Sequence, residues 1–208
     1  MLSVLMAIAV PAGAQPALLT AMGDSLTQGY GLPAEDGFVP QLQAWLHAQG
    51  REVRVVNAGV SGDTTAGGAA RIDWTLAERP DAMIVALGGN DLLRGIDPAT
   101  SRANLDRILS AADAAGVPVL LAGLPAPGNY GPEYKRAFEA MYADLAQKWG
   151  AIFYPDFLGP ITDRAAQGQP VSDLMQDDHI HPNARGVALI VAAIGPQVIA
   201  LLDRAGSP

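Results

Sequence analysis

The sequence contains no cysteine, so it can form no disulfide, no thiolate metal site and no cysteine nucleophile. Lysine is nearly absent as well, occurring only as Lys135 and Lys148. With 13 Lys and Arg against 21 Asp and Glu, the net charge is -8 and the pI about 4.7. No stretch carries the basic footprint that a phosphate backbone or an anionic membrane surface would demand, which argues against nucleic acid as a partner. Charged residues make up 16% of the chain and hydrophobic residues 50%, a balance typical of globular rather than disordered proteins. No repeat, linker or low-complexity tract interrupts the 208 residues, so residues 15–208 are expected to form a single domain.

The first residues differ in character. Residues 2–10 are almost wholly apolar, and Ala12-Gly13-Ala14 has the form of a small-residue cleavage site before Gln15. Residues 1–14 are therefore expected to be a signal peptide, and the mature chain periplasmic or secreted. No Lys or Arg precedes the apolar run, which leaves an upstream start or a retained apolar extension as the alternative. No later run is expected to be long enough to span a bilayer.

From Ala17 onward, apolar runs alternate with helical periodicity. Residues 17–22, 53–56, 82–87, 117–122 and 151–154 read as buried strands. Between them lie four helical patterns. They are Phe38, Leu42, Trp45 and Leu46; a helix capped by Thr64 or Thr65 and reaching Ala77; Leu105, Ile108, Leu109 and Ala112; and an aromatic stripe that includes Tyr134, Phe138 and Tyr142. Residues 155–181 are expected to form a long irregular connection. A last helix is expected to start at Pro182, bury Val187, Ile190, Val191, Ile194 and Val198, and bend at Gly195-Pro196. This alternation predicts an α/β fold with a parallel sheet between two layers of helices, and ligands bind such sheets at the carboxyl ends of the strands.

The unusual polar loops fall at that edge. Gly23-Asp24-Ser25-Leu26 follows the first strand, Asn57-Ala58-Gly59-Val60-Ser61-Gly62 the second and Gly88-Gly89-Asn90-Asp91 the third, while Asp178 and His181 precede the last helix. A serine hydroxyl is a weak nucleophile unless a base takes its proton and a third group orients the base. Of the three histidines, His47 falls on a solvent-facing turn, whereas His181 has Asp178 three residues before it, a spacing that lets the carboxylate fold back and fix the imidazole tautomer. Gly59 leaves room for a substrate oxygen to approach its N–H, Asn90 offers a neutral donor, and the Ser25 N–H lies at a helix start; such dipoles suit a developing oxyanion. Each residue also has a simpler use. Ser25 could only cap a helix, Gly59 serve a turn and Asn90 fill a loop, which would leave a non-catalytic binding module. Asp177, Asp178, His179 and His181 could instead hold a metal for a metal-dependent hydrolase. Leu92, Leu93, Leu124, Pro125 and Tyr130 lie in loops at the same edge and could line an apolar groove for substrate.

Together these blocks resemble those of the GDSL family of SGNH hydrolases: Ser25 in Gly-Asp-Ser-Leu, Gly59 in Asn-Ala-Gly-Val-Ser-Gly, Asn90 in Gly-Gly-Asn-Asp, and Asp178 and His181 in Asp-His-Ile-His-Pro-Asn. The likeness runs from about Ala17 to the last helix. Asp63-Thr64-Thr65, Arg94-Gly95 and Asn129-Tyr130-Gly131 make the chain most similar to the thioesterase I, arylesterase and lysophospholipase group. The resemblance implies a three-layer, flavodoxin-like αβα fold with a five-stranded parallel sheet, and no cofactor or metal. It also implies a serine esterase that acts through an acyl-enzyme on aryl or acyl esters, thioesters or lysophospholipids. In that scheme Ser25 attacks, His181 is the base, Asp178 orients it, and Ser25, Gly59 and Asn90 hold the oxyanion. His179 departs from the pattern, standing where a glycine is usual. Coenzyme A carries several phosphate charges, and near the expected site only Arg71, Arg94 and Arg136 stand against Asp63, Asp91, Asp177 and Asp178. Acyl-CoA is therefore expected to be a poorer substrate than a neutral ester of the same acyl length.

Overall fold

The computed structural model describes residues 16–206, so the expected signal peptide at residues 1–14 lies outside the described residues. The strands are β1 (Ala17–Gly23), β2 (Val53–Gly59), β3 (Ala82–Ala86), β4 (Val119–Ala122) and β5 (Ile152–Tyr154). They pair in parallel in the order β2-β1-β3-β4-β5, the flavodoxin-like arrangement. β3, Ala-Met-Ile-Val-Ala, is buried at every position, as a central strand covered on both faces must be. β2 lies at the edge and alternates instead, with Val53 and Val55 buried and Arg54 exposed. It outlasts its β-branched run by three residues because its register with β1 continues to Gly23 opposite Gly59.

Eight α-helices are described: α1 (Ser25–Gln28), α2 (Phe38–Ala48), α3 (Thr65–Ala77), α4 (Gly89–Leu93), α5 (Pro98–Ala114), α6 (Pro132–Trp149), α7 (Gly159–Ala166) and α8 (Ala184–Arg204). The period of two along each strand divides the core between the two faces of the sheet. Leu19 and Ala21 of β1 join Phe38, Leu42, Ile190 and Ile194 from α2 and α8. Met22 joins Ile72, Ile108 and Met141 from α3, α5 and α6 on the other face.

Three expectations are corrected here. α8 begins at Ala184, not Pro182, because the Asn183 side chain caps it by accepting the N–H groups of Arg185 (3.0 Å) and Gly186 (3.1 Å); Pro182 instead forms a short antiparallel bridge with Met175. The segment after β5 is not wholly irregular, since it contains α7. Finally, α8 spans 21 residues and contains an 18-residue window with a mean hydropathy of 2.0, long and apolar enough by those measures to cross a bilayer. Its buried residues, Val187 to Leu202, pack in the core against the sheet and α2. The helix continues through Gly195-Pro196, and Gly195 gives Trp45 of α2 its place, since a Cβ there would stand 2.5 Å from the indole.

Candidate active site

β1 delivers Asp24 and Ser25 to the carboxyl edge through a turn with no spare room. A Cβ on Gly23 would lie 2.0 Å from Thr27 Oγ1 and 2.9 Å from the Ala86 carbonyl oxygen. Asp24, not Ser25, is the helix cap: its Oδ1 accepts the Leu26 N–H at 3.0 Å. Ser25 is thereby free of that duty, and its Oγ lies 2.9 Å from His181 Nε2.

The loop before α8 holds the other two groups. His181 Nδ1 is 2.6 Å from Asp178 Oδ2, while Asp178 Oδ1 accepts the N–H groups of His181 (3.0 Å) and Ile180 (2.9 Å). The backbone N–H of His181 foremost, then its ring and the N–H of Ile180, hold the Asp178 carboxyl well below the usual carboxylate range. With Nδ1 donating to this carboxylate, Nε2 is left as the acceptor that faces the serine. His179 occupies the left-handed region at φ 56°, where glycine is unstrained. Two further residues frame the imidazole, one by touching it and one by bonding the backbone beside it, and neither stood out in the sequence. The Tyr30 ring lies 4.8 Å from it between centroids, and Gln176 Nε2 donates to the carbonyls of Tyr30 (2.8 Å) and Pro182 (3.0 Å).

The glycine expected to hold an oxyanion is not at the site. The N–H of Gly59 donates to Asn57 Oδ1 at 2.9 Å, and its Cα is pressed so close to α1 that a Cβ would meet the Gln28 nitrogen at 2.4 Å. Gly62, three residues on, lines the cavity instead. It adopts φ 84°, its carbonyl is pinned by Arg94 Nη2 at 2.9 Å, and its N–H, like that of Ser25, makes no hydrogen bond among the described residues. Asn90 donates one side-chain N–H to Asp24 Oδ2 at 3.3 Å and has a second to offer.

These groups open onto a cavity of about 350 Å³. Leu92, Leu93, Leu124 and Pro125 line it, joined by Leu26, Tyr30, Leu158 and Ile180. Tyr130 does not line it: its ring packs on Tyr134 at 4.9 Å and its hydroxyl donates to the Leu93 carbonyl at 3.5 Å. The acidic groups near the site are also differently employed than their number implies. Asp63 pairs with Arg71 at 2.7 Å, and Asp91 is wholly buried in a hydrogen-bond network. Among the described residues no group of three or more His, Asp or Glu side chains is arranged to hold a metal.

Asp24 is 3% exposed, and burial lifts its carboxyl to about 6 against the opposing hydrogen bonds from Leu26 and Asn90. A carboxyl whose folded value is raised binds more protons in the native than in the unfolded chain between the two values, so stability falls as pH rises across that window. Asp24 is thus expected to remove stability between pH about 4 and about 6. The slope of unfolding free energy against pH over this interval should be less negative in Asp24→Asn than in the parent. Identical slopes by denaturant titration would contradict the assignment.

Comparison with known proteins accords with this geometry. The model of the GDSL-like lipase/acylhydrolase family matches residues 21–189. Esterase TesA of Pseudomonas aeruginosa is 39% identical over 185 residues, covering 88% of this chain and 89% of the relative. The thioesterase 1/protease 1/lysophospholipase L1 of Escherichia coli K12 is 34% identical over 186 residues, covering 89% and 85%. The crystal structure of AlinE4, an SGNH-hydrolase family esterase, superposes with a TM-score of 0.73 at 43% identity, covering 90% of this chain and 97% of that one. A parallel five-stranded sheet with Ser25, Asn90 and His181 at its carboxyl edge, a matching family model and relatives aligned along nearly their whole length make this chain a member of the GDSL-like lipase/acylhydrolase family, a hydrolase of the SGNH type.

Proposed function

We propose that the protein is a serine esterase working through an acyl-enzyme, with Ser25, His181 and Asp178 as its triad. The observation that carries this reading is the unbroken line from Ser25 Oγ to His181 Nε2 (2.9 Å) and from His181 Nδ1 to Asp178 Oδ2 (2.6 Å). As Ser25 Oγ attacks the substrate carbonyl, His181 Nε2 takes its proton, and the ionised Asp178 stabilises the imidazolium so formed. The developing oxyanion is met by the N–H groups of Ser25 and Gly62 and the second side-chain N–H of Asn90. His181 then gives its proton to the departing alkoxide or thiolate. Water, activated by the same base, attacks the acyl-enzyme, and the returning proton restores Ser25. Labelling with a fluorophosphonate followed by peptide mapping tests the scheme: the adduct is expected on Ser25, and no adduct, or one elsewhere, would refute it.

The substrates are carboxylic esters, thioesters or lysophospholipids whose acyl chain enters the apolar cavity. None of Arg71, Arg94 and Arg136 lines the cavity, and Arg71 is already paired with Asp63 while Arg94 donates to the Gly62 carbonyl. Neutral or zwitterionic esters are expected to show a higher kcat/KM than the acyl-CoA of equal acyl length, compared at fixed ionic strength. Preference for the acyl-CoA would overturn that expectation and leave the triad untouched. Residues 1–14 direct export in this reading, placing the enzyme in the periplasm or outside the cell.

A further inference from the structure

Three polar side chains in the cavity wall take no part in the chemistry above: Ser61, whose hydroxyl donates to Gln28 Oε1 at 3.0 Å, and the pair Asp156 and Thr162. Asp24, Ser25, Gly62, Asn90 and His181 gather around the reacting serine, but Asp156 and Thr162 come from the exit of β5 and from α7, elements that contribute nothing to the triad. Strand order sets their distance from Ser25. Ser25 follows β1, Asn90 follows β3, Leu124 follows β4 and Asp156 follows β5, and these strands are consecutive neighbours. Three interstrand steps of ~4.8 Å put Asp156 roughly 14 Å from the serine along the sheet edge. Leu92, Leu124 and Leu158 supply apolar wall in the same cavity. At ~1.2 Å per bond, an extended chain spans that distance in roughly twelve bonds, and in roughly eight once the reach of the two side chains is subtracted.

The carboxylate is held firmly and is short of donors. Its Oδ1 accepts the Leu158 N–H at 2.8 Å and its Oδ2 accepts the Thr162 hydroxyl at 2.5 Å. A carboxylate has about four acceptor positions, so two remain. The groups acting on it include no Lys or Arg, and burial, with Asp163 adding in the same direction, raises its proton affinity. A saturated chain that reaches Asp156 strips water from a charged acceptor and returns nothing, whereas a chain ending in a hydroxyl replaces the lost water with a charge-assisted hydrogen bond.

We propose that Asp156 and Thr162 form a distal polar subsite that selects esters whose medium-length acyl chain ends in a hydrogen-bond donor, a hydroxyl above all. This rests on the esterase reading and adds a preference that the triad alone does not supply. The test compares nitrophenyl esters of ω-hydroxydecanoic acid and of undecanoic acid, which has a methyl group in place of the hydroxyl, both below their micellar concentrations. The parent is expected to favour the hydroxyl-ended ester by about tenfold or more in kcat/KM. In Asp156→Leu the ratio should fall to about one or below. In Asp156→Asn, which keeps one acceptor oxygen, and in Thr162→Val it should be intermediate. A ratio near one in the parent, or one unchanged in Asp156→Leu, would overturn the subsite. Turnover of neither ester, nor of a short acetate ester, by the parent would overturn the esterase reading and this one with it.

Discussion

Replacing either Ser25 or His181 with alanine is expected to lower ester hydrolysis by about 10⁴–10⁶-fold while the thermal midpoint stays nearly unchanged. The two side chains act as one device, since the hydroxyl is inert without the base and the base has nothing to deprotonate without the hydroxyl. The double variant should therefore be no worse than either single one. Folding should tolerate both changes, because Asp24 rather than Ser25 caps α1 and the Asp178 turn is held by the backbone N–H groups of Ile180 and His181. Asn90→Ala removes a single oxyanion donor of three and should cost roughly 10²–10³ in kcat. Steady-state kinetics beside a calorimetric melt measure all of this. Normal turnover by Ser25→Ala would end the mechanism.

The second large effect is on stability and comes from the residue next to Asn90. Asp91 is wholly buried and accepts the Thr65 N–H (2.8 Å), the Thr65 hydroxyl (2.5 Å) and the Ser101 hydroxyl (2.8 Å), while Asn104 Nδ2 donates to Thr65 Oγ1 at 3.1 Å. One carboxylate thus fastens α4 to the first turns of α3 and α5. Asp91→Ala leaves three buried donors without an acceptor, a loss of about 3–5 kcal/mol. For a chain of this length that corresponds to a fall of roughly 6–20 °C in the thermal midpoint. Because Asn90 rides on the same turn, kcat should also decline at temperatures where the variant is still folded. An unchanged midpoint would show that the network contributes nothing.

What was legible in the sequence follows from the range of the signals. Ser25, Asn90, Asp178 and His181 could be placed at one edge because each sits at the end of an apolar run or the start of a helix, and strand–helix alternation fixes which edge that is. The choice between Gly59 and Gly62 was different. Both lie in one small-residue loop, and only the pairing of β2 with β1 as far as Gly59 reveals that this glycine ends inside the sheet, packed on Gln28. The contrast in Ser61-Gly62-Asp63, a glycine set between two polar residues, was the available signal. Tyr130 was misplaced because a loop aromatic carries no periodicity to orient it. α7 was missed because eight residues containing Gly159-Pro160 give barely two turns of pattern. Pro182 mimicked a helix start, and Asn183, whose side chain does the capping, was the better sign.

The bond between Ser25 and His181 joins residues 156 positions apart, with the base lying just ahead of the final helix. The order of synthesis therefore matters. As the polypeptide emerges amino terminus first, a serine that needs His181 as its base appears early and is expected to stay inert until nearly all of the remaining chain has been made and α8 has docked. On the proposed mechanism, activity is gained at the last step of folding, when the carboxyl-terminal helix brings the base to the serine.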